Sequence, residues 1–161
     1  MLFRSVGAST GGFTQVLLAR GARRVYAVDV GRGQLHASLR QEPRVTLFEA
    51  TDIRFLDPRR LLEPPDFLTI DVSFISLKLV LPPAVALLRA PARMVALIKP
   101  QFEAGRRVKK GIVRDPQVHA AVCEDIAGFV AGLGWTVAGM IPSPIAGGDG
   151  NREFLLGAAR D

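Results

Sequence analysis

Cysteine occurs once, at Cys123, and histidine twice, at His36 and His119, in a chain of 161 residues. A single thiol forms no internal disulfide, which fits a reducing compartment, and a cytoplasmic protein is expected. One thiol and two separated imidazoles make no thiolate–imidazole cluster, so no metal of that kind is expected and only a carboxylate-bound ion stays open. No apolar run is long enough to span a bilayer. The opening Met1-Leu2-Phe3-Arg4 lacks the basic start, long apolar stretch and small-residue cleavage site of a signal peptide. A basic amphipathic helix with a large apolar face is also missing, which ranks membrane lysis last among the possible activities. Acidic residues are fewer than basic ones, 15 against 21, and the net charge of +6 favours a polyanionic partner such as RNA. With no internal repeat and no linker, residues 1–161 read as one domain with a substantial core.

What the chain does contain is a glycine-rich turn, Val6-Gly7-Ala8-Ser9-Thr10-Gly11-Gly12-Phe13-Thr14, between an apolar lead-in and a helical run that stops at Gly21. A parallel strand turning through glycines into a helix offers backbone N–H groups and a positive helix end to a ligand. The next apolar run, Val25 to Val28, ends on Asp29. A carboxylate about twenty residues after such a turn suits a ribose hydroxyl pair, which points to a nucleoside-containing cofactor. A tight turn with no ligand is the plainer reading of the glycines alone.

Taken in order, the elements alternate. Strands are expected at Met1–Val6, Val25–Val28, Val45–Phe48, Phe67–Asp71, Met94–Ile98, Trp135–Ile141 and Phe154–Ala158. Helices are expected at Phe13–Arg20, Gln34–Arg40, Ser76–Leu88 with a break at Pro82-Pro83, and from the Asp115-Pro116 start to Gly134. In that last helix Val118, Val122, Ile126, Phe129, Val130 and Leu133 trace one apolar face, His119 reads as a surface imidazole and Cys123 as a packed thiol. Residues 101–114 show no apolar period and read as a mobile basic loop. The alternation predicts an α/β fold, a doubly wound and mostly parallel Rossmann-like sheet, and the last strand is expected to run antiparallel. Arg4 and Ser5 conflict with this, because a central strand covered on both faces is normally apolar throughout.

Ligands of such sheets bind beyond the carboxyl ends of the strands. Gly7–Gly12, Asp29, Asp52, Asp71 and Lys99 would all reach that edge, and Asn151-Arg152-Glu153 would join them if the last strand runs antiparallel. An Asp–Lys–Glu group beside a nucleoside cofactor suits an alcohol nucleophile, with the lysine helping to remove the hydroxyl proton and the carboxylates orienting it.

These residues resemble the TlyA family. The resemblance rests on residues 6–14, Val-Tyr-Ala-Val-Asp-Val-Gly (25–31), Asp-Val-Ser-Phe-Ile-Ser-Leu (71–77) and Ala-Leu-Ile-Lys-Pro-Gln-Phe-Glu (96–103). It continues in Lys-Gly-Ile-Val-Arg-Asp (110–115), Ser-Pro-Ile (143–145) and Gly-Asn-Arg-Glu-Phe-Leu (150–155). The family, often labelled haemolysins, carries an FtsJ-like, S-adenosylmethionine-dependent ribose 2′-O-methyltransferase domain acting on ribosomal RNA. The resemblance implies a class I methyltransferase fold, S-adenosylmethionine as cofactor, and ribosomal RNA or ribosomal subunits as partners. It makes Asp71, Lys99 and Glu153 three members of a Lys–Asp–Lys–Glu catalytic group. Gly7, Ala8, Ser9, Gly11, Gly12, Phe13, Asp29, Val30, Asp52 and Asp71 are the expected cofactor contacts. Independently of the resemblance, the basic run Arg106, Arg107, Lys109, Lys110 and Arg114 is expected to contact RNA phosphates, with a solvated charged face as the plainer reading. The chain departs from the family in three respects. Ser5 replaces an Asp before Val-Gly, the first catalytic lysine would lie upstream of Met1, and the family's S4-type RNA-binding module is not present in this sequence. An N-terminally truncated domain that binds cofactor but methylates RNA slowly or not at all is therefore expected, with a non-catalytic RNA- or cofactor-binding remnant as the alternative.

Overall fold

The computed structural model describes residues 2–105 and 111–161. Seven strands, β1 (Leu2–Val6), β2 (Arg24–Val28), β3 (Val45–Phe48), β4 (Phe67–Ile70), β5 (Ala92–Ile98), β6 (Thr136–Pro142) and β7 (Phe154–Arg160), form one sheet. Its order is β3-β2-β1-β4-β5-β7-β6. The first five strands run parallel, and β7 inserts antiparallel between β5 and β6. The helices are α1 (Gly12–Ala19), α2 (Ala37–Arg40), α3 (Leu77–Ala86), α4 (Pro100–Glu103) and α5 (Pro116–Gly132). The expected mostly parallel sheet with one antiparallel strand is thus observed. Strand order reverses between β1 and β4, and a crevice opens at such a reversal because the flanking connections leave toward opposite faces.

Side-chain alternation along the strands builds a core on each face. Val6, Tyr26, Leu68, Ile70, Met94 and Ile98 meet α3 and α5 in the larger core, and Phe3 and Val25 meet Leu17 of α1 in the smaller. Helix α5 begins as its sequence suggests, with Asp115 accepting from the Gln117 N–H at 2.8 Å and Pro116 in the first turn.

Three local expectations need correction. Helix α3 runs through Pro82 and Pro83 without a break. Burial of Val80, Leu81, Ala84 and Val85 outweighs the missing amide donors, and the fixed proline φ suits the helix. Residues 101–114 are not one loop, because Pro100–Glu103 is helical; Arg106, Arg107, Lys109 and Lys110 lie outside the described residues. His119 is not on the surface. It is buried, and its Nε2 pairs with the Val113 carbonyl at 2.9 Å.

The conflict in β1 is real. Arg4 is 0% exposed, opposite Tyr26 and Leu68 in the pairing, and its Nε, Nη1 and Nη2 have no hydrogen-bond partner among the described residues. Burial pulls the guanidinium pKa down to about 10, against a smaller opposing effect of Tyr26. The unfolded chain then binds the proton more tightly than the folded one, so below pH 10 the full penalty opposes folding, and it is relieved only as pH rises above 10. Arg4→Leu is expected to stabilise the fold at pH 7 by about 3 kcal/mol. The urea midpoint checks this, and it should rise with an unchanged slope.

Candidate active site

Beyond the carboxyl ends of β1, β2 and β4, at the reversal of strand order, lies a cavity of about 310 Å³. Its floor depends on Gly7. That residue has φ +73°, and a Cβ there would sit 1.8 Å from the Asp71 carbonyl oxygen, so only glycine lets the β1 turn close on the end of β4. On one wall the Asp29 carboxylate is held by two backbone amides, accepting from Ser9 N–H and Gly31 N–H, each at 2.7 Å. Both oxygens are oriented, and each keeps acceptor capacity toward the cavity. Val30 follows, 72% exposed, as an apolar surface at the cavity edge. Asp52 closes the far side; it caps a 3₁₀ turn and binds Arg54 bidentately, which lowers its pKa below the usual carboxylate range.

Of the expected cofactor contacts, Gly7, Ser9, Asp29, Val30, Asp52 and Asp71 line this cavity, whereas Ala8, Gly11, Gly12 and Phe13 do not. Ala8 is buried, and Gly11 packs against Leu35 and Leu39, seating the start of α1. Thr51, Gln34 and the 72–75 segment also line the cavity, and the sequence reading had not singled them out.

At its other end the cavity meets a polar cluster. Lys99, in the bend from β5 into α4, pairs with Asp71 at 2.7 Å and donates to Ser73 Oγ at 3.1 Å. Because Ile98 pairs with Phe154 across β5 and β7, the next residues outward, Lys99 and Glu153, share this edge. Glu153 is buried and accepts from Gln101 Nε2 at 3.1 Å. Gly147 makes room for it, since a Cβ there would lie 2.0 Å from Glu153 Oε1. Asp71, Lys99 and Glu153 are therefore brought to one edge, as the antiparallel last strand requires.

Beside them stands Phe74, 90% exposed and at φ +64°, a conformation that costs a bulky residue of order 1–3 kcal/mol. Its ring lies 4.9 Å from that of Phe102. Phe74, Phe102, Ser73, Gln101 and Glu103 are not among the site residues expected from the sequence. Their only signal was position within the Asp-Val-Ser-Phe and Lys-Pro-Gln-Phe-Glu segments, because hydrogen bonds between loops leave no periodic trace. Among the described residues no group of acidic, thiol and imidazole side chains is placed to hold a metal ion, and no helix is long and apolar enough to cross a membrane.

Comparison with known proteins matches the FtsJ-like methyltransferase profile over residues 2–160. The chain is 47% identical over 152 residues to the 16S/23S rRNA (cytidine-2′-O)-methyltransferase TlyA of Mycobacterium tuberculosis, covering 93% of this chain and 57% of that protein. It is 39% identical over 153 residues to hemolysin A of Brachyspira hyodysenteriae, covering 93% of this chain and 64% of the relative. A solved structure of a hemolysin-labelled protein from Streptococcus thermophilus superposes with a TM-score of 0.95 at 47% identity, covering 99% of this chain and 59% of that one. The chain thus spans little more than half the length of several of the proteins it matches.

Glu103 ties α4 to the start of α3 by accepting from Ser76 Oγ at 2.6 Å and from the Leu77 N–H at 2.7 Å. Glu103→Ala is expected to cost about 1.5–3 kcal/mol, the scale of hydrogen bonds to a charged acceptor. Glu103→Gln, which keeps an acceptor, should cost less, and urea unfolding of the two variants compares them.

Proposed function

The chain belongs to the FtsJ-like methyltransferase family, and on that premise we propose that it transfers a methyl group from S-adenosylmethionine to a ribose 2′-hydroxyl of ribosomal RNA. One observation carries this reading: a cavity with a backbone-held carboxylate at one end meets a lysine–carboxylate pair at the other, on a single sheet edge. The residues fit the cofactor. Asp29 offers oriented acceptors to a ribose diol, Val30 and the adjoining wall offer an apolar face to a base, and Asp52 adds acceptors at the far side. When bound, S-adenosylmethionine supplies an electrophilic methyl carbon on a cationic sulfur.

The chain's own work is positioning and proton handling. Asp71 and Ser73 aim the Lys99 amine from two sides, and Gln101 fixes Glu153 across from it. A ribose hydroxyl held at this cluster would be oriented by Asp71, Lys99 and Glu153, and that group would take its proton as the oxygen accepts the methyl group that bound S-adenosylmethionine would supply. Phe74 offers an exposed aromatic face beside the cluster, the kind of surface on which an unstacked nucleobase rests. The relative named an rRNA (cytidine-2′-O)-methyltransferase supports ribosomal RNA as substrate, and the basic charge of the chain supports binding to it. Among the expected phosphate contacts, Arg114 is exposed; ribosomal subunits are the form of substrate proposed.

Two outcomes test the reading. Asp29→Ala is expected to weaken S-adenosylmethionine binding by about 1.5–3 kcal/mol in titration calorimetry, the scale of a charge-assisted hydrogen bond. Transfer of tritiated methyl to ribosomal subunits should fall at least 100-fold, roughly the contribution of a positioned acid–base group, in each of Lys99→Ala, Asp71→Asn and Glu153→Gln. Equal affinity of parent and Asp29→Ala would remove the cofactor assignment.

A further inference from the structure

We propose that Arg114 and Arg152 form a clamp for the phosphodiester backbone of the RNA strand that carries the target ribose; this rests on the methyltransferase reading above. The two arginines come from segments far apart in sequence and locked together by buried side chains. Val113 is buried between them, and both its backbone polar groups are taken by side chains. Its N–H donates to Asn151 Oδ1 at 2.9 Å, and its carbonyl pairs with His119 Nε2 at 2.9 Å. Asn151 and His119 are 4% and 6% exposed, and the His119 ring packs edge-on against Phe154 at 5.6 Å. Segment 111–114 is thereby fixed to segment 151–154, with Arg114 directly after Val113 and Arg152 directly after Asn151.

Both arginines are exposed and line one open cavity of about 350 Å³. Neither makes a salt bridge or a side-chain hydrogen bond among the described side chains. The adjoining Asp115 is occupied in capping α5. Two guanidinium groups on linked segments at one cavity suit a shared anion, and their planar donor forks match phosphate oxygens.

The location selects the anion. Arg152 directly precedes Glu153 in the chain, at the entry to β7 where Asn151 and Glu153 are buried and Arg152 is exposed between them. In a ribonucleotide strand the 2′-carbon adjoins the carbon that bears the 3′-phosphate. Any ribose whose 2′-hydroxyl reaches Lys99 and Glu153 therefore brings a phosphodiester to within a few bonds of that point. The arginine pair, tied to the same β7 entry segment, takes a phosphodiester of that strand and holds the strand along this edge.

The test uses fluorescence anisotropy with a labelled single-stranded RNA over a salt series. Arg114→Gln/Arg152→Gln is expected to lower the slope of log affinity against log salt by about 1.4, or roughly 25-fold in affinity at 0.1 M salt. S-adenosylmethionine affinity should be unchanged. Arg114→Lys/Arg152→Lys should keep the slope. Arg20→Gln/Arg93→Gln removes the same charge away from this edge and should also keep it. A slope unaltered in the Gln pair, or lowered equally in the Arg20/Arg93 control, overturns the clamp. If the slope falls only in the Gln pair while the parent neither binds S-adenosylmethionine nor transfers methyl to RNA, the pair still holds an RNA phosphodiester backbone and the methyltransferase reading falls. If the parent methylates and the slope does not move, the clamp alone falls.

Discussion

The close approach of two backbones at the end of β1 governs the rest of this molecule. Gly7 lies against the Asp71 carbonyl where no Cβ fits, and the Asp71 N–H bonds the Val6 carbonyl at 2.9 Å. That contact draws the first and fourth strands together at the point where strand order reverses. The chain leaves β1 toward one face of the sheet and β4 toward the other, so the space between the departing loops becomes the cavity. Asp29 can then reach across from β2 to the Ser9 amide, and the same carboxylate that presents its lone pairs to the cavity also holds the glycine turn in shape. The carboxylate that faces the cavity and the contact that shapes the turn are here joined by a single pair of hydrogen bonds.

A second organising element is the short stretch from Lys99 to Glu103. Lys99 engages Asp71 and Ser73, Gln101 engages Glu153, Phe102 packs with Phe74, and Glu103 caps α3. One turn of helix thus ties the loop after β4 to the entry into β7. The exposed, strained Phe74 persists because this neighbourhood over-determines its backbone. Its conformation costs free energy that is offset by Lys99 on Asp71 and Ser73 at one end of the loop and by Glu103 and the Ser76 cap at the other.

Arg4 breaks the pattern. It occupies a central strand in which its register neighbours are Tyr26 and Leu68. Its guanidinium meets no acceptor among the described residues. The surrounding apolar packing is extensive enough to carry this burden, and the sheet keeps its register through the residue. The position is thus a destabilising one that the fold tolerates without using.

The layout of the fold was legible in the sequence because it depends on periodicity. Apolar runs of strand length alternating with helical patterns specify an α/β sheet, and Asp115-Pro116 marks a helix start by chemistry that acts within four residues. The strand-end positions of Asp29, Asp71 and Lys99 were legible for the same reason, and the resemblance in the glycine turn and in residues 96–103 pointed to the family. What the sequence could not determine was which of those residues face one another. Glu153 joins Lys99 only because β7 runs antiparallel beside β5, and His119 is buried only because Val113 and Phe154 converge on it. Gln101, Glu103 and the Arg114–Arg152 pairing depend on side chains meeting across loops more than twenty residues apart. Such meetings follow from strand order and loop closure, which local propensity does not encode, so only the tertiary structure decided them.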